Sequence, residues 1–242
     1  SFPVKERSVF TYEKLIEMLV GHVGELQERQ RELVEGERLE SDLIIGSAVM
    51  RETWDRIRRA SRSDEIVLLR GESGTGKSFI ARKIHGLSER RDRPFVEVGL
   101  TSDIGSENMI QSDLFGHEKG AFTGAYSKRA GKVAGAGEGT LFIDEIGELQ
   151  PGLQGKLLRL IQNGEFEPVG STKTQRTRAR LVFATNRDLK VEVSEKRFRE
   201  DLYFRLNVLK MEIAPLRKRR DFILPLADYF LDMYKGRINN KV

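Results

Sequence analysis

The chain has 242 residues, with 42 Lys and Arg against 37 Asp and Glu and a formal net charge of +5. Its 38% hydrophobic content suffices for a sizeable core, and the mild charge excess falls short of the basic stripe that nucleic-acid binding needs. The absence of cysteine excludes a disulfide scaffold and a thiolate metal site, and His22, His85 and His117 are too scattered for a metal cluster. Apolar runs of only a few residues, such as IVLL at 66–69, exclude a transmembrane helix, and a cytoplasmic protein is expected.

Residues 1–10 read as a tail and 11–39 as one long helix. Tyr12, Ile16, Leu19, Val23, Leu26, Gln30 and Leu33 alternate in steps of four and three, a heptad seam. Gly21 and Gly24 fall off that seam and weaken the helix by about 1 kcal/mol each. The pattern fits a coiled coil or one amphipathic helix packed on its own domain. From Ser41 apolar strands alternate with helices, which argues for an α/β domain with a mostly parallel sheet. Strands are expected at 66–69, 95–98, 140–143, 181–184 and 207–213, and helices at 77–90, 105–115, 153–163, 194–206 and 220–235.

GESGTGKS at 71–78 matches the phosphate-loop pattern, follows the first of those strands and opens a helix. Gly71, Gly74 and Gly76 let the backbone turn tightly, so that the amides of Glu72, Ser73, Thr75 and their neighbours point inward at phosphate oxygens. Lys77 supplies charge to the β and γ phosphates, and Ser78 offers a hydroxyl to Mg²⁺. TLFIDE at 140–145 is a buried strand ending in two acids. Asp144 is suited to holding Mg²⁺ through water and Glu145 to activating a water for attack on the γ phosphate. FATN at 183–186 ends another strand in an amide, and Asn186 is a candidate to bind that water or the γ phosphate.

With DLFGHEKGAFTGA at 113–125, ATNRDL, FREDLYFRLNV and PLRKRR in the same order, the chain resembles the NtrC-like enhancer-binding activators of sigma-54 RNA polymerase over about 43–229. The resemblance implies an AAA+ α/β core at 41–213, a partial helical lid at 214–242 and a tail with linker helix at 1–40. It implies an ATPase with ATP and Mg²⁺ as cofactors, working as a hexameric ring with ATP between subunits, and a linker that holds an inactive dimer. Arg199 and Arg205 would be arginine fingers reaching the neighbour's ATP, which suits a planar, always-charged guanidinium. Otherwise they pair with Glu200 and Asp201. The loop Gly120, Ala121, Phe122, Thr123, Gly124 and Ala125 would touch the sigma-54 holoenzyme, with Phe122 as an exposed aromatic anchor. The residues alone leave Phe122 equally open to a core role. DNA binding is expected from a C-terminal domain outside this sequence, and no membrane contact is expected.

Gly99 stands where the resembled family carries an Asn that senses the catalytic Glu, and Ser78 where it often has Glu. Thr101 is expected to supply a replacement hydroxyl, with Ser102 also able to donate; an absent switch and a misalignment that hides the Asn, with Asn108 the nearest candidate, are the alternatives. Two other function classes remain open on the sequence. The basic stretches 173–180 and 215–220 would serve a nucleic-acid motor, although they lack aromatic interleaving. A nucleotide-binding scaffold without turnover is the other class.

Overall fold

The computed structural model describes residues 48–100 and 107–238. The helix expected at 11–39, and Thr101 and Ser102, lie outside the described residues. Val67–Arg70 (β1), Phe95–Gly99 (β2), Thr140–Asp144 (β3), Arg180–Thr185 (β4) and Leu209–Glu212 (β5) form a five-stranded sheet in the order β2-β3-β4-β1-β5. All four pairings are parallel, with Gly99 opposite Asp144, Ile143 opposite Phe183 and Arg70 opposite Thr185. The strands fall within a residue or two of their expected places.

Strand periodicity divides the core in two. Leu68, Val98, Leu141, Ile143, Leu181 and Phe183 face one side. They pack with Leu114, Val133, Leu153 and Leu202 from helices Glu107–Phe115 (α3), Lys132–Ala136 (α4), Pro151–Asn163 (α5) and Glu200–Leu206 (α7). Val67, Leu69, Phe142, Val182 and Ala184 face the other side and meet Ile57 of Ala48–Ser61 (α1) and Ile80 and Ile84 of Lys77–Gly86 (α2). Each such side chain contributes roughly 1.5–3 kcal/mol when fully buried. Helices on both faces explain why the strands read as apolar runs without alternation.

Two expected helices differ. The helix begun at Lys77 stops at Gly86, not at 90, because the Ser88 hydroxyl donates to the carbonyl of His85 at 2.6 Å and turns the chain. The segment 194–206 is two helices. Leu189–Ser194 (α6) begins earlier, its first turn capped by Asp188, whose side chain accepts from the Lys190 N–H. Lys196 then adopts φ 59°, and the N–H groups of Arg197 and Phe198 both reach back to the Glu192 carbonyl, so α7 starts afresh with Arg199 at its N-cap. Helix α1 and two short hairpins, Gly116–His117 with Arg129–Ala130 and Glu165–Phe166 with Gln175–Arg176, have no counterpart in the sequence expectations. The basic stretch 173–180 is not one solvated face. Arg180 is buried at the start of β4 and donates to the Ala60 carbonyl at 2.6 Å.

The compact unit runs Glu52–Arg220. Residues 48–51 and 221–238 fall in a second unit, which holds the helix Ile223–Ile238 (α8). No described helix is long and apolar enough to cross a membrane.

The entry to β3 tests this packing. Gly139 donates to Ala136 and accepts from Arg180, and a Cβ built on it would overlap the Pro94 carbonyl, whereas Gly135 in α4 has open space. Gly139→Ala is expected to lose about 1–3 kcal/mol through overpacking. Gly135→Ala is expected to gain about 0.5–1 kcal/mol. Chemical denaturation of the two variants beside the parent measures both.

Candidate functional site

Strands β3, β4 and β1 are neighbours, and all three end on the same edge of the sheet. Asp144 closes β3, and Asn186 and Gly71 directly follow β4 and β1, so three segments far apart in the chain meet where ligands of open parallel sheets bind. Gly71 is tied to β4 by its N–H to the Thr185 carbonyl at 3.1 Å. It must be glycine, because a Cβ there would come within 2.8 Å of Thr75 Oγ1 and 2.9 Å of the Ile213 carbonyl. Gly74 and Gly76 take φ 76° and 93°, the left-handed conformation that delivers the chain into α2. The first-turn amides of that helix have no intrahelical partner and face any anion placed before them.

Lys77 is buried, and its ammonium group turns back on the loop. Nζ donates to the carbonyls of Gly71 at 3.1 Å and Glu72 at 3.4 Å and to Glu145 Oε1 at 3.3 Å. Glu145 is itself unusual, a non-glycine residue at φ 54°, ψ 47°. Such a backbone costs about 1–3 kcal/mol and persists where the surroundings over-determine it. Its other oxygen accepts the Asn186 backbone N–H at 3.1 Å, so both carboxylate oxygens are engaged. The Asn186 side chain is exposed.

Asp144 Oδ1 accepts the N–H of Glu145 at 2.9 Å. Burial pushes the Asp144 carboxyl above its ordinary range, and the charges of Glu145 and Glu97 add to this against the pull of that N–H and of Lys77. Its second oxygen and the Ser78 hydroxyl have no protein partner among the described residues. A desolvated carboxylate crowded by other acids, beside a free hydroxyl and a phosphate cradle, fits a hard divalent cation that keeps most of its waters. The described residues hold no group of three or more His, Cys, Asp or Glu that would cage a metal without phosphate.

Gly99 faces Asp144 across the sheet, with nothing within 4 Å of where a Cβ would stand. Asn108 is exposed on α3, and the recorded partners of Glu145 are Lys77 and Asn186.

Arg217, Arg219 and Gln154 escaped the sequence reading. Glu72, whose amide is expected at the phosphates, gives its carboxylate to Arg217, whose Nη1 and Nη2 donate at 2.6 and 2.5 Å and hold the Glu72 carboxyl below its usual range. Arg219, buried, donates to the Thr75 carbonyl at 3.0 Å. The basic block 215–220 therefore braces the phosphate loop. Buried Gln154 on α5 accepts the Arg199 N–H at 2.8 Å and donates to the carbonyls of Leu149 and Arg197, which sets the start of α7. No local signal in the sequence links Glu72 to Arg217, because the two are 145 residues apart and meet only in the fold.

Arg199 and Arg205 lie on α7 with exposed side chains, and neither hydrogen-bonds nor ion-pairs with its own phosphate loop. Arg199 forms a two-pronged pair with Asp201 at 3.0 and 2.7 Å, whereas Arg205 is unpaired among the described residues. The loop 120–125 is closed by the Gly120 N–H to the Ala125 carbonyl at 2.8 Å, with Gly120 and Gly124 at φ 81° and 102°. Thr123 is exposed. Phe122 is not the exposed anchor expected: it is half-buried, its ring set edge-on to buried His117 at 5.1 Å.

The sequence profile described as "Sigma-54 interaction domain" matches residues 43–212. The chain is 48% identical over 221 residues to the Nif-specific regulatory protein of Herbaspirillum seropedicae, covering 90% of this chain and 40% of that protein. It is 44% identical over 231 residues to the transcriptional regulatory protein ZraR of Salmonella typhimurium, covering 96% of this chain and 52% of that protein. It thus spans about a third to a half of the length of the curated relatives it matches. Crystal structures of NtrX from Brucella abortus superpose with TM-scores of 0.73 for the ADP complex and 0.69 for the ATP complex. Identities are 28% and 30%, with 89% and 86% of this chain and 48% of each NtrX chain covered.

The raised Asp144 carboxyl makes a pH-dependent stability prediction. A native pKa above the ordinary 3.8 means that stability is lost as pH rises from that value through the native one, and the full penalty stands at neutral pH. Asp144→Asn keeps an acceptor for the Glu145 N–H. The ligand-free variant is expected to be more stable than the parent at pH 7, with the gap closing as pH falls toward 3.8 in urea titrations.

Proposed function

Because the chain belongs to the sigma-54 interaction domain family, a branch of the AAA+ P-loop ATPases, we infer that it binds ATP and Mg²⁺ at the strand ends and hydrolyses ATP to remodel sigma-54 RNA polymerase. The observation that carries this reading is the direct contact of Lys77 Nζ with Glu145 Oε1 at 3.3 Å, which supports reading the pair as the phosphate-seeking cation and the general base of one site.

The amides of 72–78 cradle the phosphates. Lys77 leaves Glu145 for the β and γ phosphates, a stronger partner for an ammonium group, and Glu145 is released to face a water. Glu145 takes a proton as the water oxygen bonds the γ phosphorus; the bond to the bridging oxygen breaks and ADP leaves. Asn186 helps orient that water. Ser78 and Asp144 would hold Mg²⁺, which would supply charge neutralisation on the phosphate oxygens. Since Lys77 and the Asn186 N–H already hold Glu145, the chain works with glycine at position 99.

The arginines of α7 complete the site in trans. Arg205 is free to reach a neighbour and Arg199 exchanges Asp201 for phosphate, so the active species is a ring, a hexamer by resemblance. The linker helix holds an inactive dimer, and a further domain of a longer protein binds DNA. The loop 120–125 contacts sigma-54, in the cytoplasm. A nucleic-acid motor is disfavoured because Arg176, Arg217 and Arg219 are committed to Glu165, Glu72 and the Thr75 carbonyl.

Lys77→Ala is expected to lose ATP binding, while Glu145→Gln binds ATP but turns over about 10²–10⁴-fold more slowly. Equilibrium binding and steady-state hydrolysis separate the two, and normal turnover in Glu145→Gln refutes the base. A mixture of Arg205→Ala and Glu145→Gln subunits is expected to recover part of the activity, and no recovery at any ratio counts against a shared site. Arg219→Ala, which unbraces the loop, is expected to weaken nucleotide binding roughly tenfold, in line with one lost charge-assisted hydrogen bond of about 1.5–3 kcal/mol. Calorimetric titration checks it.

A further inference from the structure

The aromatic side chain that the sigma-54 loop presents is not the one inside its motif. Phe122 is drawn back against His117, and His117 is anchored by Ser112 at 2.7 Å from its Nδ1, with both residues buried. The buried methyl of Ala125 points inward. The next residue, Tyr126, is 87% exposed, the highest value among the exposed large apolar side chains described.

A single exposed ring is ordinary on a protein surface, but the backbone of this one is held on both sides. The Tyr126 N–H donates to the Gly124 carbonyl at 2.9 Å, and the Ala125 N–H donates to the Phe122 carbonyl at 3.0 Å. The stem is closed by the pairing of Gly116–His117 with Arg129–Ala130 and by Lys128 on Glu118 at 2.7 Å. Below it, the Glu118 N–H donates to the Val169 carbonyl, and Gly170 packs so close to Ala121 that a Cβ there would stand 2.8 Å from the Ala121 Cβ. A ring with two side-chain torsions on a braced backbone loses little entropy when it is captured, which is the economy of aromatic anchors at interfaces.

We propose that Tyr126 is a contact residue for sigma-54, continuous with the exposed Thr123, and that it inserts its ring into an apolar pocket of that partner. This rests on the reading of 120–125 as the sigma-54 loop. Tyr126 lies outside the nucleotide machinery, and its exposure means that truncation removes nothing from the core.

The experiment measures binding of purified sigma-54 to the nucleotide-loaded ring, together with basal ATP hydrolysis, for Tyr126→Ala, Tyr126→Phe, Phe122→Ala and Thr123→Ala. Tyr126→Ala is expected to weaken sigma-54 binding about tenfold or more with basal hydrolysis unchanged within about twofold, and Tyr126→Phe to stay within about threefold of the parent. Loss of binding in Thr123→Ala with full binding in Tyr126→Ala overturns the inference and leaves the loop reading standing. Full binding in all four variants overturns the loop reading itself. A fall in basal hydrolysis and in ring assembly for Tyr126→Ala overturns the inference in favour of a subunit contact.

Discussion

A buried ammonium group without a counter-charge is not tolerated in a protein interior, and the arrangement around Lys77 follows from that constraint. Its Nζ is shut off from water and must find acceptors; it has two loop carbonyls and Glu145. The reverse need acts on the other side, where Asp144 and Glu145 at the end of one strand and Glu97 within its neighbour crowd negative charge. In the proposed reaction, phosphate and a divalent cation would answer both needs together, and the Lys77–Glu145 pair is the internal match that their charges would replace.

The sheet exists, in functional terms, to bring those groups to one edge. Crossover connections send the chain from β1 to the far edge at β2 and back through β3 and β4, so that the ends of β1, β4 and β3 come side by side. Apolar burial on both faces keeps the three ends in register. The loop after β1 is braced a second time from the segment that follows β5, through Arg217 on Glu72 and Arg219 on the Thr75 carbonyl. The Arg217 pair is exposed and contributes little to stability; the Arg219 bond is buried and orders the backbone that cradles phosphate.

The loop 120–125 follows a different logic. Its glycines permit the turn, yet its conformation is set by contacts from elsewhere: Val169 and Gly170 beneath it and His117 against Phe122. An apolar ring beside an accessible buried surface packs against it. Phe122 does so, and Tyr126, facing outward, has no such surface. A motif read in line assigns importance to six residues and says nothing about which of them is sheltered.

Local chemistry was legible without coordinates. Glycines in a phosphate-loop spacing, a strand closing on two acids, and apolar runs too continuous for a one-sided sheet each carry their meaning within a few residues, because backbone sterics and burial act at short range. The parallel sheet, the phosphate loop and the acid pair were therefore determined by the sequence itself. Tertiary structure decided what depends on distant partners. The helix over 194–206 broke at Lys196 because Glu192 offered its carbonyl to two amides, and Arg199 gained its place at an N-cap through Gln154, 45 residues away. Arg180 sank under Ala60, the Glu72 carboxylate took Arg217, and Phe122 withdrew to His117. In each case a polar or aromatic side chain was free, in the linear chain, to choose among solvent and many partners, and only the folded surroundings removed all choices but one.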